Sequence, residues 1–431
     1  MSRSRLLTPG RWKLSIPSAG VYATAVAISF SAASSAPTPL YSLYQETMGL
    51  SPAVVTFIFA AYVLGMVIAF LTLGRLSDYV GRRPMILGAL LVNFVALLMF
   101  IEAVHARDLA IARLLQGVAT GVAMTSLGAT IVDTQPRYGA TLNGVTAFIG
   151  LTAGSLLAGV LIAWAPLPTK LVYAVLLAIT LIEILVLPLV PETTTGKPGG
   201  LRALVPRISV PLSARGTMMR LVPLNVAAWA LGGFYLSLMP SLVSAVTETH
   251  SPFLGATVVS TLVLTATVAV LVLRASEAKW LLRFSGLALV IGIAVTLLAV
   301  RIQSEPGMFF GTLIAGAGLG TAYFGSLRIL IPLAGEHERA AMLAAYLVIS
   351  YVAFSVPAIA AGLVAPRLSL VTTAYVYGAA LIAMATMSLA LMALASRLPA
   401  ERVGRQWHDR RARYARQGPC LSAHTLEKSC E

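Results

Sequence analysis

The sequence predicts an all-α integral membrane protein of twelve transmembrane helices in two pseudo-symmetric groups of six. Three observations predict it. Of the 431 residues, 58% are hydrophobic and only 11% are charged, against about half and about a quarter in soluble domains. The apolar residues fall in blocks of about 20 or more, enough at ~1.5 Å rise per residue to cross a bilayer. The longest break between blocks, "PETTTGKPGGLRALVPRISVPLSARGTMMR", falls near the middle and leaves six blocks on each side. Lipid offers no partner to backbone N–H and C=O groups, so each block is a helix. Frequent Gly, Ala and Ser inside the blocks suit close helix packing.

The spans cover 18–43, 52–73, 84–104, 108–132, 139–164, 169–190, 220–245, 253–273, 280–300, 307–332, 340–365 and 370–395. The expected organisation is a cytoplasmic N-terminus (1–17), a first bundle (18–190), a cytoplasmic linker (191–219), a second bundle (220–395) and a basic cytoplasmic tail (396–431). The linker is expected to include an interfacial stretch, Leu201–Leu212. Assigning loops alternately to two sides leaves Arg107, Lys170, Arg301 and Arg367 on one side; all other Lys and Arg outside the spans fall on the opposite side. The positive-inside rule makes that basic side cytoplasmic, with both termini on it. A plasma membrane location follows, as does attraction to anionic lipid headgroups. The net charge of +15 is thereby accounted for without nucleic acid. Residues 1–37 also resemble a secretory signal, ending in "SAASSAP"; its removal would leave eleven spans.

Taken in order, the spans carry few polar residues. Span 1 ends in "SSAPTPLYSLYQ", where Pro37 and Pro39 interrupt the helix and free backbone groups near Thr38, Tyr41 and Tyr44. The loop to span 3, "GRLSDYVGRRP", concentrates charge: Gly74 and Gly81 permit tight turns, and Asp78 can cap exposed amides and pair with a basic group. Span 4 holds Arg113, about five residues inside, with Gln116 one turn further on the same face. Asp108 is close enough along that helix to be a partner for Arg113. In span 5, Gly150, Gly154 and Gly159 share a broad face for helix packing. Glu183 in span 6 is a carboxyl inside the bilayer and a candidate proton carrier. Span 7 offers Asn225, Trp229, Phe234 and Tyr235 around Gly232-Gly233; span 10 offers Tyr323 and span 11 Tyr351.

Other chemistries find no support. Cys420 and Cys430 both lie near the C-terminus, which excludes a disulfide framework and a cysteine zinc site. The sequence has no metal-ligand spacing, phosphate loop or nucleophile elbow, and its five histidines are scattered. No enzyme, metal or cofactor is expected.

The run Gly74-x-Leu76-x-Asp78-x-x-Gly81-Arg82-Arg83 resembles the loop between spans 2 and 3 of the major facilitator superfamily. Arg113-Leu-Leu-Gln116-Gly117 with Gly121 is similar to that family's span-4 motif. The run Gly150-x-x-x-Gly154-Ser155-x-x-Ala158-Gly159 resembles the span-5 motif of its 12-span drug:proton antiporters, and Pro191-Glu192-Thr193 is a common closing of span 6. The resemblance implies alternating access, with Arg82 reaching Asp133 so that Gly74, Asp78, Gly81, Arg82, Arg83 and Asp133 act as a conformational latch. It also implies a cavity lined by spans 1, 7, 10 and 11, hence by Thr38, Tyr41, Asn225, Trp229, Phe234, Tyr235, Tyr323 and Tyr351. Arg113, Gln116, Asp108 and Glu183 become the coupling or substrate candidates. Two departures count against the antiporter pattern: span 1 has no acidic residue, and Ser155 stands where a proline is usual. The leading expectation is multidrug-type export of small hydrophobic or amphipathic compounds by proton antiport, from a monomer. The alternatives are proton-coupled import of a metabolite and a non-transporting receptor.

Overall fold

A computed structural model of the chain describes residues 15–135, 137–194, 196, 204, 208–247, 252–335 and 338–397. Most of the N-terminus and central linker, and the tail with both cysteines, lie outside them. All regular structure among the described residues is helical. The first half comprises α1 (Ile16–Ser35), α2 (Pro37–Met48), α3 (Pro52–Thr72), α4 (Ser77–Val80), α5 (Arg82–Glu102), α6 (Ala106–Thr134), α7 (Gly139–Trp164) and α8 (Pro168–Val186). The second comprises α9 (Leu212–Ser237), α10 (Met239–Val246), α11 (Pro252–Leu273), α12 (Ala278–Arg301), α13 (Glu305–Leu330), α14 (Arg339–Leu368) and α15 (Leu370–Arg397). Helices α1 and α2 together make one span, and α9 and α10, bent by 63°, make another; 12 described spans result when that bent pair counts as one. Among the described residues, those up to Leu389 form one compact unit and those from Ala390 to Arg397 belong to a second.

The breaks have local causes. Proline at 37 removes the N–H that would bind the Ala33 carbonyl, and Ala36 joins α1 to α2 there. Ser15, Ser51 and Ser304 cap α1, α3 and α13 with their side-chain oxygens. The seventh span differs from expectation, because α9 begins at Leu212 and not at 220. Its first two turns are amphipathic and held by polar bonds, with Ser213 donating to the Leu333 carbonyl and the Arg215 side chain to that of Val210. Apolar run length does not register helix in a stretch as polar as Ser213–Thr217.

Within the first half, α6 packs against α1, α3 and α5, while α1 packs on α7 and α5 on α8. In the second half, α13 packs on α11 and α12, and α9 on α14. The halves meet along α7–α11 and α3–α14, with α2 touching α10 and α11. Small residues set these distances. A Cβ on Gly117 would overlap the Tyr62 carbonyl, one on Gly154 the Ala32 carbonyl, and one on Gly233 the Phe354 carbonyl. Large apolar side chains such as Leu64, Leu185, Val272, Leu298 and Phe310 are instead exposed on the outside of the helices. That inversion suits a lipid solvent, where packing, not hydrophobicity, holds helices together.

Candidate functional site

A cavity of about 200 Å³ lies between the halves. Helices α1 and α2 contribute Ser31, Ser34 and Thr38; α3 adds Phe59, Tyr62 and Met66. From α6 and α7 come Thr120, Met124, Asn143 and Phe148. The second half supplies Trp229, Tyr323, Tyr351 and Phe354. Trp229 is the hub of the aromatic wall, edge-on to Tyr323, Tyr351 and Phe354 at centroid distances of 5.9, 5.1 and 5.7 Å. Phe59 meets Phe354 across the halves at 5.1 Å. Among the described residues, no Asp, Glu, Lys, Arg or His lines this cavity.

One end of the cavity is sealed. Thr38 Oγ1 donates to the Leu236 carbonyl at 3.0 Å, Ser155 Oγ to the Ala256 carbonyl at 3.2 Å, and Ser241 Oγ to Gln45 Oε1. Gly159 packs on Ala256, and Trp164 stands edge-on to Phe253 at 5.0 Å. These are the hydrogen bonds that join the halves among the described residues, and all lie from the α1–α2 junction towards the end opposite the charged loop. The lining extends the other way, to Asn143 and Gly144 in the first turns of α7.

Behind the cavity wall sits Arg113, with only 1% of its surface exposed. Its Nε and Nη2 donate to the Tyr41 hydroxyl at 3.0 and 2.7 Å, and Nη1 donates to the Ser34 carbonyl at 2.7 Å and Gln116 Oε1 at 2.9 Å. Gln116 Nε2 donates to the Ala33 carbonyl at 3.0 Å, the group orphaned by Pro37. The rings of Tyr41 and Tyr62 lie 5.6 and 5.3 Å from the guanidinium carbon. The broken first span and the span-4 arginine are thus one construction: the break exposes acceptors and the arginine consumes them.

The charged loop also assembles, with a partner the sequence reading did not identify. Arg82 Nη2 pairs with Asp133 Oδ2 at 2.9 Å, and Nη1 lies 3.6 Å from Asp78 Oδ1. The capping carboxylate, however, is Glu192. It accepts from the backbone N–H of Arg82 at 2.9 Å and of Arg83 at 3.0 Å, the first two residues of α5. Pro84 follows and has no N–H, so the first turn of α5 leaves no amide to Asp78. Gly81, at φ 111° and ψ 152°, takes a conformation closed to side-chain-bearing residues. Gly74 packs beside Thr125 of α6, and Arg83 Nη2 reaches the Pro188 carbonyl at 3.0 Å. A carboxylate immediately after Pro191, at the close of span 6, was the available clue.

Of the expected lining residues, Thr38, Trp229, Tyr323 and Tyr351 are on the cavity. Tyr41 is not, because Arg113 holds its hydroxyl. Asn225 donates to Ser350 Oγ at 3.0 Å, Tyr235 shares a hydrogen bond with Thr312 at 2.9 Å, and the Phe234 ring packs on Tyr377 at 4.9 Å. These three bind neighbouring helices of their own half. Asp108 is not the partner of Arg113. Five residues of helix carry it to a different face, where it accepts from the Val104 and His105 amides and caps α6. Gly150 and Gly154 pack α7 on α1 within one half, and only Gly159 faces the other half. Glu183 lies between α8 and α1, away from the cavity. Tyr22 donates to its backbone carbonyl at 2.8 Å, and its Oε2 has no hydrogen-bond partner. Tyr62, Phe59, Phe148 and Asn143 escaped the sequence reading, since one aromatic in an apolar run does not reveal which face is cavity and which is packing.

The family pattern of the Major Facilitator Superfamily matches residues 23–358. A gallate transporter from Pseudomonas putida is 34% identical over 148 residues, a match spanning 34% of this chain and 32% of that one, about a third of its length. Among solved structures, a variant of the nucleoside transporter NupG aligns with a TM-score of 0.68 at 12% identity, over 88% of this chain and 100% of that one. The xylose transporter XylE from E. coli, in a partially occluded inward-open conformation, aligns at 0.66 and 14% identity, over 89% and 98%. At these identities the two structures establish a shared fold.

Proposed function

The chain belongs to the Major Facilitator Superfamily, and we propose that it is a proton-coupled secondary transporter carrying small, single-ring aromatic compounds by alternating access. The observation that carries this is the cavity: aromatic walls, no fixed charge on its surface, and about 200 Å³ of space. A cavity of about 150 Å³ holds one benzene molecule, so this one suits a substituted single ring better than a bulky drug. The seal at one end and the lining that runs to the other support an inward-open reading, with Gly74–Pro84 on the cytoplasmic side of the plasma membrane and both termini beside it.

Uptake with protons is the reading we favour over multidrug efflux by antiport. Simple antiport needs a group for which proton and substrate compete, and among the described residues no acidic, basic or imidazole side chain lines the cavity. Symport needs separate groups occupied together, which suits a carboxyl set apart from the cavity, as Glu183 is. The name of the Pseudomonas putida relative, a gallate transporter, supports the single-ring aromatic reading. Export keeps one observation in its favour, the Ser155 and Gly159 contacts of α7 with α11 across the halves. The Arg82–Asp133 pair lies wholly within the first half, where it braces α5 against α6 and biases the conformational balance.

Proteoliposomes with an imposed pH gradient test this directly. Accumulation of a labelled single-ring aromatic compound driven by an inward proton gradient, abolished by protonophore, supports symport. Gradient-driven extrusion of unrelated dyes in its place would replace it with efflux. Glu183→Gln is expected to retain substrate binding while losing the response to the gradient.

A further inference from the structure

We propose that the cavity takes its substrate as an anion, an aromatic carboxylate, and that Arg113 sets this preference from one layer behind the wall. The proposal rests on the aromatic-transport reading above and goes beyond it to the substrate's charge.

Arg113 is buried without an opposite charge. It takes part in none of the ion pairs among the described residues, and its hydrogen bonds all go to neutral oxygens: a phenol, a carbonyl and an amide. Neutral partners stabilise a buried ion without cancelling its field, and an uncompensated charge in a low-dielectric interior acts at long range. Only a thin layer separates it from the cavity. Ser34, whose carbonyl it binds at 2.7 Å, and Tyr62, whose ring centre lies 5.3 Å away, are both wall residues.

The wall adds donors and no acid. Tyr323, Tyr351 and Asn143 line the cavity, and their side chains make no hydrogen bond among the described residues. A ligand rich in acceptors satisfies their donors; an ammonium ion can use only their oxygens and meets the arginine's repulsion with no carboxylate to offset it. For a carboxylate roughly 8 Å from the guanidinium, Coulomb's law at an effective dielectric of about 20 gives roughly a 30-fold preference over a neutral isostere. It gives a similar factor against a cation.

The test is a charge series at constant shape: equilibrium binding of benzoate, benzamide and benzylamine to the purified full chain. Benzoate is expected to bind about 30-fold more tightly than benzamide, with benzylamine weaker still. In Arg113→Gln, benzoate should fall to the affinity of benzamide while benzamide is unchanged. Tyr62→Phe, which keeps the arginine, should retain the preference. Should Arg113→Gln not fold, the series on the unmodified chain decides alone. Equal or tighter binding of benzamide or benzylamine overturns the charge assignment and leaves aromatic transport standing. Binding of none of the three overturns the single-ring reading with it.

Discussion

Replacing Glu192 with alanine should damage the charged loop more than any change at Asp78. The Glu192 carboxylate accepts from the Arg82 and Arg83 amides at the start of α5 and from the Thr193 and Thr194 amides of its own segment. Hydrogen bonds to a charged group contribute about 1.5–3 kcal/mol each. The two that tie separate segments, on a half-buried residue, therefore contribute about 2–4 kcal/mol together. Local opening free energy sets amide exchange, and about 1.4 kcal/mol is a factor of ten. In Glu192→Ala the Arg82 and Arg83 amides should exchange about 30- to 1,000-fold faster. Glu192→Gln keeps one carbonyl acceptor and should show a rise of about fivefold. Asp78 is 55% exposed and 3.6 Å from Arg82, so Asp78→Asn should cost under about 1 kcal/mol and shift these amides by less than about fivefold. Hydrogen–deuterium exchange by mass spectrometry on the three variants reads this directly. Exchange in Glu192→Ala within threefold of the parent, or a larger effect of Asp78→Asn, would refute the capping argument.

Three further outcomes are expected. In a Cys420→Ser, Cys430→Ser background, the pair Ser155→Cys and Ala256→Cys should cross-link on oxidation and stop transport, with recovery on reduction; full activity of the cross-linked form would mean this contact does not open. Tyr41→Phe removes the acceptor of two guanidinium bonds, so thermal stability should fall by about 1–3 kcal/mol while a purely apolar neighbour such as Leu40→Met changes little. Gly154→Leu forces a side chain into the Ala32 carbonyl and should cost at least about 1–3 kcal/mol and much of the folded yield. Gly88→Ala, with nothing within 4 Å of the added methyl, should be neutral, and equal yields of the two would argue against close α1–α7 packing.

Much of this molecule is written locally. Span positions follow from runs of apolar residues, because lipid imposes one rule on every backbone group it touches. The break at Pro37, the turn at Gly81 and the Arg82–Asp133 pairing were accessible for the same reason, or through motif resemblance: each depends on neighbouring residues or recurring spacing. Pro39, expected to interrupt the helix too, sits in the first turn of α2, where its missing N–H costs nothing. What depends on helix rotation was not accessible. The period of an apolar helix is silent when all its faces are greasy, so nothing in the chain distinguished Tyr62 and Phe148 on the cavity from Phe234 and Tyr235 packed inside one half. Nor could spacing along α6 show that Asp108 turns back to cap its own helix while Arg113 reaches across to Ser34 and Tyr41. Composition and the lengths of apolar runs thus settle that this chain crosses the membrane and roughly where. Contacts between residues some eighty positions apart settle which charge stands behind the cavity wall, because side-chain partners are chosen by helix packing in three dimensions.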